Sequence, residues 1–264
     1  MTDSAMPMFK RRRERRQLLR AGLGAAVATA LAGCDRLSQD ERAVDVLRSA
    51  ESLTRGVQRA LGRRAMAQEF TPADIAPVFR PNGTTHPAGA AYAAMLADGF
   101  GSWRLRVDGL VQHPASFSLA QLRAMPARTQ ITRHDCVEGW SCIGQWKGVR
   151  LSHVLGQVVL APEARFVLFH CLDRMDEDDE TSLYYESVDL DDALHEQTLL
   201  AWELNGQPLP VANGAPLRAR IERQLGYKQP KYLARIEVVR DLSGHAGGRG
   251  GYWEDRGYNW YAGI

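Results

Sequence analysis

The sequence predicts a β-rich α+β domain, and three observations predict it. Short alternating or continuous apolar runs recur along the 264-residue chain. Brief helical patterns separate them, and loops rich in Pro and Gly punctuate both. No internal repeat competes with that reading. An apolar content of 45% and a charged content of 24% are ordinary for a globular chain of this length, which is long enough for a substantial core.

The elements follow in order. In residues 40–61, Val46, Leu47, Ala50, Leu53, Val57, Ala60 and Leu61 recur at helical spacing. This predicts an amphipathic helix that ends near Gly62 and serves as a spacer docked on the domain, or else as a partner-binding helix. Thr71-Pro72-Ala73-Asp74 is a helix start or turn, and residues 80–87 have loop chemistry. Residues 103–110 alternate with period two and end in Asp108-Gly109, a strand running into a turn. Residues 118–122 predict a short helix capped by Ser118. Residues 129–132 are strand-like, 151–159 helical, and 165–169 and 199–204 strands. A turn at Asn213-Gly214 and a last strand over 234–239 complete the series. Residues 173–180 are acidic and predict a solvated loop or, from their place after Cys171, a segment at the entrance of a site; the spacing of a calcium-binding hand is absent. Residues 244–251 are glycine-rich but lack the strand-loop-helix setting of a phosphate loop.

Residues 1–33 stand apart. Residues 10–16 are strongly basic, and residues 21–32 form an uncharged run of small and apolar residues. That is the layout of a signal peptide, and the run is too short to span a membrane. Arg15-Arg16-Gln17-Leu18-Leu19-Arg20 is similar to a twin-arginine export signal. Leu31-Ala32-Gly33-Cys34 resembles a bacterial lipoprotein cleavage box, which makes Cys34 the expected lipidation site and places the protein in the periplasm on a lipid anchor. Residues 34–74 then form a linker carrying the helix. The whole chain has 33 basic and 31 acidic residues, seven and two of them within residues 1–33; without that segment 26 stand against 29, a net charge of −3. Apparent basicity therefore belongs to the signal, and nucleic acid is not an expected partner.

Four cysteines do not make a disulfide framework in a chain this long. A bridge between Cys142 and Cys171 is left open. No CxxC or CxxCH occurs, so neither thioredoxin-type chemistry nor a covalent haem in this chain is expected.

The stretch richest in chemistry is Arg133-His134-Asp135-Cys136-Val137-Glu138-Gly139-Trp140-Ser141, followed by Trp146-Lys147-Gly148-Val149. Cys136 sits among charged and aromatic residues, whereas an inert core cysteine more often has aliphatic neighbours. Arg133 beside it is expected to favour the thiolate, the form that ligates soft metals or attacks electrophiles. This block resembles the molybdenum-ligand segment of the sulfite-oxidase-fold molybdopterin oxidoreductases. Within that family it is most similar to the bacterial periplasmic branch that includes the methionine sulfoxide reductases. A second region carries the likeness further. Asn213-Gly214-Ala215-Pro216-Leu217-Arg218 and Gly226-Tyr227-Lys228-Gln229-Pro230-Lys231-Tyr232 are similar to the family's paired Gly-Ala-Pro-hydrophobic-Arg and Gly-aromatic-Lys runs.

The resemblance implies a sulfite-oxidase-type fold over residues 75–264, a Mo-pyranopterin cofactor and Cys136 as the metal ligand, adjusted by Arg133. It implies cofactor contacts at Asn213, Arg218, Gln229, Pro230 and Lys231; Arg218 and Lys231 are chemically suited to phosphate. It implies a further contact at Cys171, where relatives often carry Thr. In the loop at residues 82–86 it implies Asn82, followed by the pair Thr85 and His86. Read from the residues alone, these positions also fit an Asx turn at Asn82-Gly83, a buried structural Cys171 and a solvated basic strand. The aromatic segment at residues 252–261 is expected to line the mouth of the site or to seal the domain edge.

The implied chemistry is two-electron oxygen-atom transfer on a small-molecule substrate. It runs either as sulfoxide reduction or as oxidation of a small oxyanion such as sulfite. Sulfite oxidases carry further arginines and a dimerisation domain for which residues 240–264 leave no room, so reduction is expected. Electrons are expected to pass to or from a separate membrane haem protein or cytochrome. Two other classes compete. One is a zinc or thiol protein using Cys136, Cys142, Cys171 and His134 or His170, whose spacings match no standard zinc pattern. The other is a non-catalytic lipoprotein binding module, against which an intact Cys136 argues.

Overall fold

A computed structural model describes residues 40–62 and 64–264. The signal-like segment 1–33 and Cys34 lie outside the described residues. The described residues divide at Thr54 and Arg55 into two units, of which the larger runs to Ile264.

Helix α1, Glu41–Gly62, is the amphipathic helix expected from the spacing. Within the larger unit its last turns dock through polar side chains. Arg59 donates to Asp189 at 2.9 Å and to Asp192 at 2.7 Å. Arg55 stacks over Trp260, and Tyr261 donates to Gln58 at 2.6 Å. Val57 and Leu61 stay exposed.

The remaining elements are α2 Ala90–Ala97, β1 Arg104–Gly109, β2 Ala115–Ser118, α3 Leu119–Ala124, β3 Ala127–Cys136, β4 Trp140–Arg150 and α4 Leu151–Val158. After them come β5 Phe166–Arg174, β6 Leu183–Asp189, α5 Leu190–Ala193, β7 Leu199–Leu204, β8 Gln207–Pro208, β9 Arg218–Arg220 and β10 Leu233–Val239. Ser118 caps α3 in the expected way: its hydroxyl accepts from the Gln121 amide while the Gln121 side chain accepts from the Ser118 amide.

Two five-stranded sheets result. One has the order β2-β1-β10-β5-β6, with β1 parallel to β10 and the other pairs antiparallel. The other runs β3-β4-β7-β8, with β9 also paired to β7. The main core draws on both, since Val107, Phe169 and Ile236 of the first sheet share a cluster with Val149, Leu200 and Trp202 of the second. Each such side chain contributes roughly 1.5–3 kcal/mol by leaving water. A smaller cluster of Phe79, Cys142, Trp146, Ala201, Leu204 and Leu209 lies on the other face of the second sheet. The β-rich α+β class expected from the sequence is therefore observed.

Two local expectations are corrected. Residues 165–169 continue to Arg174, so Asp173 belongs to strand β5 and is buried, while residues 176–180 remain a solvated loop. Cys142 and Cys171 are both free thiols. They sit in different hydrophobic clusters, which rules out the bridge left open by the sequence.

Candidate active site

β3 and β4 form a hairpin in continuous register from Ala127–Val149 to Cys136–Trp140. Cys136 is therefore held at the hairpin tip, next to the turn Val137-Glu138-Gly139. Strand alternation puts Gln130, Thr132 and His134 on the buried face of β3, in line with Cys136. Arg133 falls on the opposite face, half exposed and paired with Asp135 at 2.9 Å. The expected role of Arg133 toward the thiol is thus not supported by geometry. Partial burial raises the Cys136 thiol, and the cation that opposes this is Arg80, which stacks over Trp140.

Behind Cys136 lies a polar layer built by β9. Arg218 and Arg220, two residues apart, share one face of the strand and are both fully buried. Their guanidinium carbons lie 5.0 and 4.4 Å from the Trp146 ring centroid, an arrangement in which the ring offsets part of the cost of burying charge. Arg220 pairs with both oxygens of Glu222, at 3.0 and 2.6 Å, and Glu222 accepts from Gln130 at 2.8 Å. Arg220 also lies 3.0 Å from His134 Nδ1. Because guanidinium only donates, this bond assigns the ring proton to Nε2. Burial, then Arg220 and Arg218, hold His134 neutral. Burial and Arg220 push Arg218 down to about 9.

Lys231 ties three segments together by donating to the carbonyls of Asn82, Thr84 and Ala212. Arg218 donates to the carbonyls of Asn213 at 3.0 Å and Gln229 at 3.3 Å. Two glycines make this packing feasible. Gly214 has φ 114°, and a Cβ there would lie 2.9 Å from Lys231 Cβ. A Cβ at Gly226 would lie 2.5 Å from His134 Nε2.

A cavity of about 200 Å³ opens in front of Cys136, and Asn82, Thr84, Gln229, Pro230 and Lys231 are among its lining residues. Asp173, Met175, Tyr184, Trp253 and Tyr258 line it as well. Trp253 stacks on Tyr258 with centroids 5.3 Å apart. The aromatic C-terminal segment therefore does both things expected of it, because Trp260 and Tyr261 pack against the domain through Ser187 and Gln58.

The structure thus gathers Cys136, Asn82, Gln229, Pro230 and Lys231 at one cleft, with Asn213 and Arg218 directly behind. Thr85 and His86 are not brought in: both are exposed, and His86 packs edge-on to Tyr92 at 5.9 Å. Thr84 takes the place in the lining expected of Thr85. Cys171 is buried and does not line the cavity; its thiol is held protonated by burial, with Asp173 adding to the effect. Sequence reasoning missed Arg220, Glu222 and Gln130, and reached Asp173 only as part of an acidic segment at the entrance of the site. Arg220 carried a usable signal, the period-two spacing from Arg218. Among the described residues no group of three or more His, Cys, Asp or Glu side chains could hold a metal ion, which removes the basis for the zinc reading. The amides of Gly247 and Arg249 are taken by the Asp255 carboxylate, so this part of the glycine-rich segment is bound by its own chain.

The model of the oxidoreductase molybdopterin binding domain matches residues 93–246. The chain belongs to this family. A candidate protein-methionine-sulfoxide reductase subunit, YedZ1 of Azospira oryzae, is 35% identical over 255 residues, 94% of this chain and 87% of that protein. The protein-methionine-sulfoxide reductase catalytic subunit MsrP of Xanthomonas campestris is 35% identical over 167 residues, 60% of this chain and 50% of that one. The sulfane dehydrogenase SoxCD of Paracoccus pantotrophus aligns with a TM-score of 0.46 at 21% identity, covering 53% of this chain and 38% of that chain. As a member of the molybdopterin-binding family the protein is a molybdenum-cofactor-dependent oxidoreductase, as expected from the cysteine block.

The residues present fit that cofactor. Asn82 Oδ1, Asn213 Nδ2, Arg218 Nε, Gln229 Oε1 and His134 Nε2 are all buried without a hydrogen-bond partner. Each such atom costs about 1–3 kcal/mol when left unsatisfied. They include both donors and acceptors, as the edges of a pterin require. Two cations, Arg218 and Lys231, stand beside them for an anionic group.

Proposed function

We propose that this protein reduces sulfoxides by oxygen-atom transfer at a molybdenum ligated by Cys136. In this reading it works on the periplasmic side, anchored by a lipid at Cys34 after twin-arginine export, and a separate membrane haem protein or cytochrome supplies electrons. The observation that carries the reading is the ring of unpartnered buried polar atoms at Asn82, Asn213, Arg218 and Gln229 around the Cys136 cleft. Sequence reasoning had put cofactor contacts at these four positions. The names of the relatives, reductase subunits acting on methionine sulfoxide, support both the reaction direction and a separate redox partner.

When bound, the cofactor supplies two-electron oxygen-atom chemistry. The chain's own residues hold and enclose it. Cys136, fixed at the hairpin tip, would present its sulfur to the metal. Arg218 and Lys231 would hold the anionic end, and Asn82, Asn213 and Gln229 would satisfy the pterin edges. Tyr184, Trp253 and Tyr258 give the cleft an aromatic lining that would exclude water from around a bound sulfoxide.

Metal analysis tests this directly. Protein expressed with cofactor supply should carry stoichiometric molybdenum, and Cys136→Ser should lose the cysteine's share of the metal–sulfur signal in X-ray absorption, keeping the sulfurs that belong to the cofactor, while staying folded. Wild-type holoenzyme should then oxidise a reduced dye with methionine sulfoxide and not reduce ferricyanide with sulfite. Zinc, or no metal at all, would sink the reading.

A further inference from the structure

Asp173 has no part in the cofactor cradle and no evident structural task. It lies on β5, is 3% exposed, and lines the same cleft as Cys136. Its Oδ1 is buried and has no hydrogen-bond partner. Among the other buried carboxylates, both oxygens of Glu222 meet Arg220, and Asp192 takes Arg59, Arg223 and Gln224. Glu186 and Glu254 also keep one unpartnered oxygen each, but both bind Lys228 through the other and neither lines this cleft. A buried acid with a free oxygen turned to a cleft is a different object. It has a proton to give and room for a recipient.

The groups facing Asp173 come from every side of it. They are Lys231 ahead of β10, Thr84 from the preceding loop, Cys171 on β5 itself, Tyr184 on β6, Tyr92 on α2 and Tyr232. Lys231 is the one basic group in this set; burial, then Arg218, lowers it to about 7, and its ammonium is directed at backbone carbonyls. Burial raises the thiol and the three phenols, so they stay neutral. Burial likewise pushes Asp173 up to about 6, with Lys231 opposing. An anionic group on Lys231 would weaken that opposition and keep Asp173 protonated further into the neutral range.

We propose that Asp173 is the general acid of this site, giving its proton to the oxygen that leaves sulfur. The inference rests on the sulfoxide-reductase reading and names a residue for it. The sulfoxide accepts two electrons from the separate donor and two protons. The sulfur–oxygen bond breaks, sulfur leaves as a thioether and oxygen as water. One proton comes from the Asp173 carboxyl and the other from solvent through the cleft mouth. The carboxylate formed beside Lys231 is then reprotonated from solvent. Because the protonated form is the active one, the rate is full below the Asp173 pKa and falls as pH rises through it.

The test uses molybdenum-loaded wild type, Asp173→Asn and Asp173→Glu, with methionine sulfoxide and a reduced dye. We expect kcat to fall about 100-fold in Asp173→Asn, at unchanged molybdenum content, and the alkaline fall of the wild-type profile to vanish. Asp173→Glu should restore part of both. In infrared difference spectra of the wild type, a carboxylic-acid band should titrate with the same midpoint as the rate, and it should be missing from Asp173→Asn. An asparagine variant that keeps the rate and the pH profile overturns the proposal, and so does one that loses molybdenum along with its rate. Absence of a titrating acid band in the wild type overturns it even if neither variant folds. Wild-type enzyme that holds molybdenum yet reduces no sulfoxide removes the reductase reading and this inference together, which distinguishes the two failures.

Discussion

Cys136 and Arg133 are three residues apart on one strand, and that odd spacing decides their relation. Side chains three apart on a strand leave from opposite faces, so nearness in sequence is not nearness in space. Arg218 and Arg220 illustrate the converse, since an even spacing stacks two cations on Trp146. At this scale Gly214 is a constrained position within the cradle itself. Gly214→Ala should destabilise the protein by about 2 kcal/mol or more through its positive φ and the clash with Lys231. It should also lower molybdenum content. Thermal denaturation of the apoprotein beside metal analysis of the holoprotein separates the two effects. The cysteine and the Asn213–Lys231 donors were legible because their chemistry is unusual for a bare surface. Arg220 was not, because a charged residue in a short strand reads by default as solvated. Its burial depends on Glu222 and Trp146, partners from elsewhere in the fold.

Among the elements, β7 and α4 were readable almost to the residue because their apolar patterns face the main core. β3 was read as four residues and spans ten. Its buried face carries Gln130, Thr132 and His134, so hydrophobic alternation understates it, and the polar partners that justify the burial lie on and just after β9. Glu222 is the hinge of that arrangement. Glu222→Ala should cost about 3–5 kcal/mol, since it strands a fully buried Arg220. It should also free His134 to reorient. Urea unfolding of the apoprotein measures the first, and the imidazole nitrogen shifts report the second.

Across the whole molecule, the cleft concentrates two buried cations and a ring of unsatisfied polar atoms in the apo chain. A ligand that meets them stabilises the fold by mass action, about 4 kcal/mol at a thousandfold excess over Kd. For a domain of this size that is on the order of 10 °C in melting temperature. Calorimetry of apo and loaded protein should therefore show two separate transitions, and a preparation of mixed loading should show both. A single transition at one temperature would mean that the cradle is not where the cofactor binds.

The way Lys231 is anchored has a practical corollary. Its ammonium fastens the Asn82–Thr84 loop to the turn before β9 through carbonyls alone, and the Tyr232 hydroxyl adds a second tie at the Thr84 carbonyl, so this part of the cleft lining is latched largely by one flexible side chain. Lys231→Met would open that latch without emptying the hydrophobic core. Proteolysis in the loop around Asn82 would then become fast in the apo form. Limited digestion could thus serve as a simple assay of assembly, reading out from the chain's own cleavage whether a given molecule has been filled.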